Sequence, residues 1–280
     1  MMHAMRREKQ EEWLQERFSN VQAGTSSRRA RLAWLVFVAA MAALTGLVGG
    51  FAPAAAIAQS PIAAPDPSTL YQRRAGSPDG IGKWYMGREL SQVMGWQGAE
   101  WLERAERERE ERTDLLLPML GLKPGMVVAD VGAGSGYFAR RLAAAVGSRG
   151  RVFAVDVQPE MVRMLEALAK RPGLGNIQPV LSSATDVKLT PASIDLALMV
   201  DVYHELEHPY EVLASMVRAV KPGGLVVFVE YRAEDDRVPI KALHKMSEAQ
   251  VKAEAARHAL VWERTLPGLP WQHVIVFRRR

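Results

Sequence analysis

From Asp201 to Tyr210 the chain reads DVYHELEHPY, and its centre, His204-Glu205-Leu206-Glu207-His208, spells H-E-x-x-H. Two imidazoles four residues apart on one helix face, with an acid between them, hold zinc in metal-dependent hydrolases. That chemistry demands a continuous helix. Pro209 follows His208 directly and biases it away from helical geometry. The preceding IDLALMV, Ile194 to Val200, reads as a buried strand. The letters are therefore a strand end followed by a helix start, and no zinc protease is expected.

A second group carries a different chemistry. In VVADVGAGSGYFARRLA, Gly132, Gly134 and Gly136 fall between a strand and a helix. Glycine admits positive φ and lets a ligand approach the backbone, and a helix N-terminus offers free N–H groups. Asp156 ends the next strand, VFAVD, where an acid can accept hydrogen bonds from both hydroxyls of a ribose. A dinucleotide loop, G-x-G-x-x-G/A, fails here because its sixth position is the bulky Tyr137.

The elements that must position these residues follow from Lys123 onward. Short apolar runs (MVVADV, RVFAVDV, NIQPVL, IDLALMV, LVVFVEY) alternate with stretches of helical period at Tyr137–Val146 and Pro159–Lys170. This alternation predicts a parallel sheet covered by helices on both faces. HALVWERTL, the turn PGLP and WQHVIVFRRR predict an antiparallel pair closing the sheet.

With D-x-G-x-G-x-G after the first strand, the chain resembles the class I S-adenosylmethionine (SAM)-dependent methyltransferases, of the type 11/25-like kind. IDLALMVDVYHEL resembles that family's fourth-strand motif, and AVKPGGLVVFVEY its turn and fifth strand. The resemblance covers roughly residues 115–280. It implies an α/β fold: a doubly wound, Rossmann-like, mostly parallel seven-stranded sheet with an antiparallel C-terminal strand. It also implies SAM as cofactor. Asp130, Gly132, Ala133, Gly134 and Gly136 would line the cofactor and hold its methionine end. Asp156 would bind the ribose, Val157 would pack on the adenine, and Ser183-Ala184 would meet the adenine edge. Many relatives carry Asp where Ser183 stands. Asp201 would sit below the methionine end.

In such a sheet ligands bind where the strand order reverses, outside the carboxyl ends of the strands. Tyr203, His204, Glu230 and His244 are therefore expected to line an acceptor pocket, with His204 as general base. The implied reaction is in-line methyl transfer to a small or lipid-like acceptor. A minor alternative is a metal-assisted O-methyltransferase using some of His204, Glu205, Glu230 and His244. Another is a non-catalytic SAM-binding sensor, exported or anchored.

The remaining chain is read from composition and charge. Of the net +5, residues 1–58 carry +3, from seven Lys/Arg against four Asp/Glu. Arg278, Arg279 and Arg280 add three more charges, so the body is near neutral and no nucleic acid is expected as partner. The chain has no cysteine, which excludes disulfides and thiolate metal sites.

Residues 1–27 read as a charged leader. Residues 28–58 read as a signal peptide or membrane anchor. Arg28, Arg29 and Arg31 precede an uncharged run, Leu32–Ala52, that is long enough to span a bilayer. Ala56-Ile57-Ala58 is a small-x-small cleavage pattern. This places the body outside the cytoplasm, periplasmic or held at the inner membrane through residues 32–52, with a cytoplasmic location as the alternative. A Pro/Ala/Gly-rich linker (59–83) and a helical cap (84–114) precede the methyltransferase-like domain (115–280). The charged run from Glu103 to Arg112 predicts a solvated helix face, with Glu103/Arg107 and Arg104/Glu108 paired at i,i+4.

Overall fold

The structure, a computed structural model, describes residues 67–280. The expected leader, the signal or anchor, and linker residues 59–66 lie outside the described residues. Among the described residues no helix is long and apolar enough to cross a membrane.

After a helical turn, Pro67–Leu70, come three short antiparallel strands: β1 (Tyr71–Arg73), β2 (Gly80–Tyr85) and β3 (Arg88–Ser91). The seven-stranded sheet follows. It comprises β4 (Val127–Val131), β5 (Arg151–Asp156), β6 (Ile177–Leu181), β7 (Ile194–Val200), β8 (Val220–Tyr231), β9 (Leu260–Leu266) and β10 (Gln272–Arg279). Their spatial order is β6-β5-β4-β7-β8-β10-β9. Strands β4 to β8 are parallel, and β10 lies antiparallel between β8 and β9. The doubly wound sheet and its antiparallel close are as expected from the sequence.

Each central strand is apolar throughout because both faces are covered. Val128, Val152, Leu196, Leu198, Val227 and Val229 pack on one face, with Leu142 and Leu165 from the helices Tyr137–Val146 and Pro159–Ala169. Their neighbours Ala129, Val155, Ala197, Met199 and Phe228 pack on the other. There they meet Leu213 and Val251 from the helices Pro209–Ala219 and Glu248–Ala255. Each fully buried Leu or Val here contributes roughly 1.5–3 kcal/mol. The chain runs outward through β4, β5 and β6, then returns to β7 on the other side of β4. That reversal opens a crevice at the carboxyl ends of β4 and β7.

Two expectations for the N-terminal part are corrected. The second half of the expected linker holds β1 and the start of β2, and the expected cap is helical only from Trp96 onward. The hairpin β2–β3 turns at Met86-Gly87, where both residues have positive φ (47° and 93°), the geometry that joins twisted strands in two residues. Its strands are too short to show a period in the sequence. The side chain of Glu89 helps hold them, accepting the N–H of Ser77 at 3.0 Å and of Gly82 at 3.2 Å.

The charged run is also broken between Leu102 and Arg107, so the i,i+4 pairs expected from Glu103 and Arg104 do not form. Arg107 and Glu111 pair instead at 3.0 Å, and both are buried.

Candidate functional site

The loop after β4 takes its shape from three glycines with positive φ: Gly132 (75°), Gly134 (54°) and Gly136 (85°). Such angles cost an L-residue about 1–2 kcal/mol, which is why glycine stands there. Gly132 and Ala133 donate their N–H to Val155 O at 2.8 and 3.0 Å, tying the loop to the end of β5. Asp156, the last residue of β5, is buried. Its Oδ2 accepts Gly134 N–H at 2.9 Å, and its Oδ1 accepts Gln158 N–H at 2.9 Å. Each carboxylate oxygen keeps further lone-pair capacity for a ligand hydroxyl.

Next to Asp156, Val157 is 44% exposed, and Leu181 at the end of β6 is 49% exposed. This gives an apolar rim suited to one face of a planar base. Ser183 is turned onto its own loop. Its N–H donates to Asp186 O at 2.9 Å, and its hydroxyl lies 3.4 Å from Thr185 N. Its side chain is therefore spent locally, and the neighbouring Ala184 is exposed.

Two acids flank the loop at the strand ends. Asp130 is buried, and its Oδ2 has no hydrogen-bond partner among the described residues. Burial, with Asp156 nearby, pushes its carboxyl up to about 7. Asp201 lies just past β7 with a φ of 54°. Its Oδ2 accepts from Gln272 at 3.2 Å, while Oδ1 is enclosed and has no partner among the described residues. Burial and the nearby Glu111 raise its carboxyl well above the usual range. Unpartnered carboxylate oxygens beside a glycine loop fit a cationic ligand, and SAM carries both an ammonium and a sulfonium.

The H-E-x-x-H histidines are separated. His204 lies in a 3-10 turn, Tyr203–Glu205, while His208 caps the helix Pro209–Ala219. His208 sits 3.1 Å from Lys83 Nζ, edge-on to Tyr71. His204 is only 2% exposed, and its Nδ1 lies 2.5 Å from Glu230 Oε2. Glu230, fully buried, also accepts Tyr203 N–H at 2.8 Å.

On its other side, His204 Nε2 faces His244 Nδ1 at 3.3 Å and Glu205 Oε1 at 3.9 Å. The Glu205 carboxylate, 3.2 Å from His244, raises that imidazole above its ordinary value. His204, Glu230 and His244 are thus brought together as expected. Tyr203 does not reach the crevice surface. It is fully buried with its ring edge-on to Phe228, because the turn directs it into the core.

The N-terminal segment bears on both halves of this crevice. Gln158 Nε2 donates to Met94 O at 3.0 Å, its Oε1 accepts Trp96 N–H at 2.8 Å, and Glu205 Oε2 accepts Met94 N–H at 3.1 Å. Leu102 is packed against Gly134 so closely that a Cβ there would come within 2.6 Å of Leu102 Cδ1. Glu103 accepts from Ser135 at 2.6 Å and from Arg140 at 2.5 and 2.8 Å. Arg88 binds Glu254 at 2.6 Å, and Ser91 donates to His204 O at 3.2 Å. Arg88 and Gln158 escape sequence reading, and Glu103 reads only as part of a solvated helix face. The partners just described lie 32 or more residues away, and no local pattern marks them.

Comparison with known proteins places this geometry in a family context. Residues 129–228, about a third of the chain, match the family model described as "Methyltransferase domain". The ubiquinone/menaquinone biosynthesis C-methyltransferase UbiE of Ectopseudomonas mendocina (strain ymp) is 28% identical over 116 residues. That is 41% of this chain and 45% of the relative. A tRNA U34 carboxymethyltransferase of Desulfotalea psychrophila is 29% identical over 131 residues, 46% of this chain and 38% of the relative. The chain thus spans about half or less of the length of these relatives. A SAM-dependent methyltransferase structure from Aquifex aeolicus superposes with a TM-score of 0.63 at 24% identity. It covers 67% of this chain and all of that one. The resemblance to class I SAM-dependent methyltransferases and the fold it implies are borne out.

Proposed function

We propose that the chain is a SAM-dependent methyltransferase acting on a small or lipid-like acceptor. One observation carries this reading: a glycine loop and the acids Asp130, Asp156 and Asp201 converge at the sheet's reversal point, with carboxylate oxygens left to receive a cation and a ribose. The methyltransferase-domain match and the Aquifex fold support it. The curated relatives named for quinone biosynthesis favour a small or lipid-like acceptor.

SAM, when bound, supplies an electrophilic methyl for in-line displacement. Asp156 and the loop amides would orient the ribose and the backbone-facing side of the cofactor. Asp130 and Asp201 would hold its ammonium. The segment Met94–Leu102, tied to Gln158 and Glu205, would exclude water and align the acceptor. Positioning of this kind supplies much of the rate in a displacement that needs little covalent help.

His204 takes a narrower role than the direct base first expected. Its ring is almost enclosed, so an acceptor would meet His244 or Glu205, the partly exposed members of the cluster, before it reached His204. Export or anchoring through residues 28–58 belongs to the same proposal. It is supported by the three arginines ahead of the uncharged run, and a reporter fused to the C-terminus checks it.

The test of the activity is transfer of labelled methyl from SAM, by the full chain, to a panel of phenolic, quinol and amine acceptors. Transfer lost in Asp156→Ala is the expected result. A chain that binds SAM yet methylates nothing in the panel would return the sensor reading.

A further inference from the structure

The cluster at the end of β7 has a composition and spacing that methyl transfer alone does not require. His204 Nε2, His244 Nδ1 and Glu205 Oε1 face one another at 3.3, 3.2 and 3.9 Å. Three protein ligands around a tetrahedral zinc, each about 2.0–2.1 Å from the metal, stand about 3.3 Å apart. The three atoms come from a 3-10 turn and from the separate turn Ala242–His244, which the fold brings together across the intervening helix Pro209–Ala219 and strand β8.

The outer contacts set which nitrogen carries the proton. His204 Nδ1 lies 2.5 Å from Glu230 Oε2, so its N–H points outward and Nε2 presents a lone pair inward. His244 Nε2 lies 3.2 Å from Asp79 Oδ2, a carboxylate oxygen that otherwise lacks a hydrogen-bond partner among the described residues. A proton on that nitrogen leaves Nδ1 as a second inward lone pair. Glu205 Oε1 is the third, while its Oε2 is held by Met94 N–H. Three acceptors then converge with no donor among them. Carboxylates behind both imidazoles are the supporting shell that fixes the tautomer and orients histidines on a metal. Asp79 is itself fixed by Lys241 at 2.6 Å.

We infer that His204, Glu205 and His244 form a site for a divalent cation of zinc type, oriented by Glu230 and Asp79. The fourth position would lie on the partly exposed side formed by His244 and Glu205, open to water or to an acceptor oxygen. This restores metal to the H-E pair with a different partner. The second histidine is His244 from a distant turn, and His208 takes no part. It takes up three residues of the metal-assisted alternative and recasts the fourth, Glu230, as a supporting carboxylate. Binding of the cation stands apart from methyl transfer, and only its use on an acceptor rests on the proposed function.

The test is titration of Zn2+ alone into chelator-treated full chain, with Co2+ as a spectroscopic stand-in. One equivalent should bind, and Co2+ should give the intense visible bands of a four-coordinate N/O site. His244→Ala, in a half-buried turn, should lower zinc affinity at least 100-fold while the fold survives. Asp79→Asn and Glu230→Gln should lower it about 10–100-fold. SAM binding measured on the same samples separates the two readings, because a metal-free chain that still binds SAM keeps the first and loses the second. A single proton shared among the three atoms is the competing occupant. It is established, and the site overturned, if the wild-type chain binds zinc no better than His244→Ala.

Discussion

Asp156 Oδ2 accepts the N–H of Gly134 at 2.9 Å, so the acid that ends one strand fixes the loop that follows its neighbour. Its second oxygen holds Gln158 N–H, which makes one buried carboxylate the joint between two ligand-facing segments. Replacing it with Asn turns one of the two acceptors into a donor facing an N–H. The expected cost is about 1–3 kcal/mol of stability, together with a loss of SAM affinity of at least tenfold. Chemical denaturation and calorimetry on Asp156→Asn measure the two effects. A SAM affinity unchanged in a destabilised variant would leave Asp156 as scaffold only.

Asp130 gives a pH signature. Its carboxyl is raised to about 7 in the folded chain, against roughly 3.9 for an exposed aspartate. Between these values the folded state holds a proton that the unfolded state has lost. Its contribution to stability therefore falls as pH rises through that window and is constant above it. A cationic ligand prefers the ionised acid. SAM affinity should climb with pH below about 7, by up to tenfold per unit, and Asp130→Asn should flatten the slope. An equal slope in both proteins rules out Asp130 as its source.

Gly132 has no room for a side chain. A Cβ there would meet both Cγ atoms of Val202 at 2.6 Å, in a backbone conformation with φ of 75°. Gly132→Ala should cost at least about 1–2 kcal/mol from the left-handed conformation alone, plus the clash. Adding Val202→Ala should recover the clash component and leave the conformational one. A double-mutant cycle by denaturation reads the difference, and strict additivity would refute the predicted contact.

Glu111 anchors the segment over the crevice. It accepts from Arg104 at 2.6 Å, from Arg107 at 3.0 Å and from the Tyr231 hydroxyl at 3.0 Å. Arg107 and Glu111 are both almost fully buried, so removing one leaves the other uncompensated. Glu111→Leu should destabilise the chain by about 3–5 kcal/mol and expose the Trp96–Arg112 region to protease. Near wild-type stability would show that the network is incidental.

The parts legible in the sequence are those with local signals. IDLALMV is strand β7 to the residue, the helix Tyr137–Val146 has the expected bounds, and Asp156 ends its strand as expected. Apolar runs flanked by glycine turns suffice when both sheet faces are buried. The N-terminal sheet was not legible. ELS and WY carry no period, and their fold is fixed by distant partners such as Lys83 on Glu207 O. The acceptor-side cluster was half legible. His204, Glu230 and His244 were placed by motif order, but Asp79 lies 125 residues from His204 in sequence and only the fold joins them. Tyr203 was misplaced because a short 3-10 turn sends successive side chains in different directions, one to the core and the next toward the crevice.

The most direct measurement is calorimetric titration of SAM, and separately of its demethylated product, into the purified full chain. One molecule of either should bind per chain, with Asp156→Ala at least tenfold weaker for both. A folded wild-type chain that takes up neither compound would contradict it.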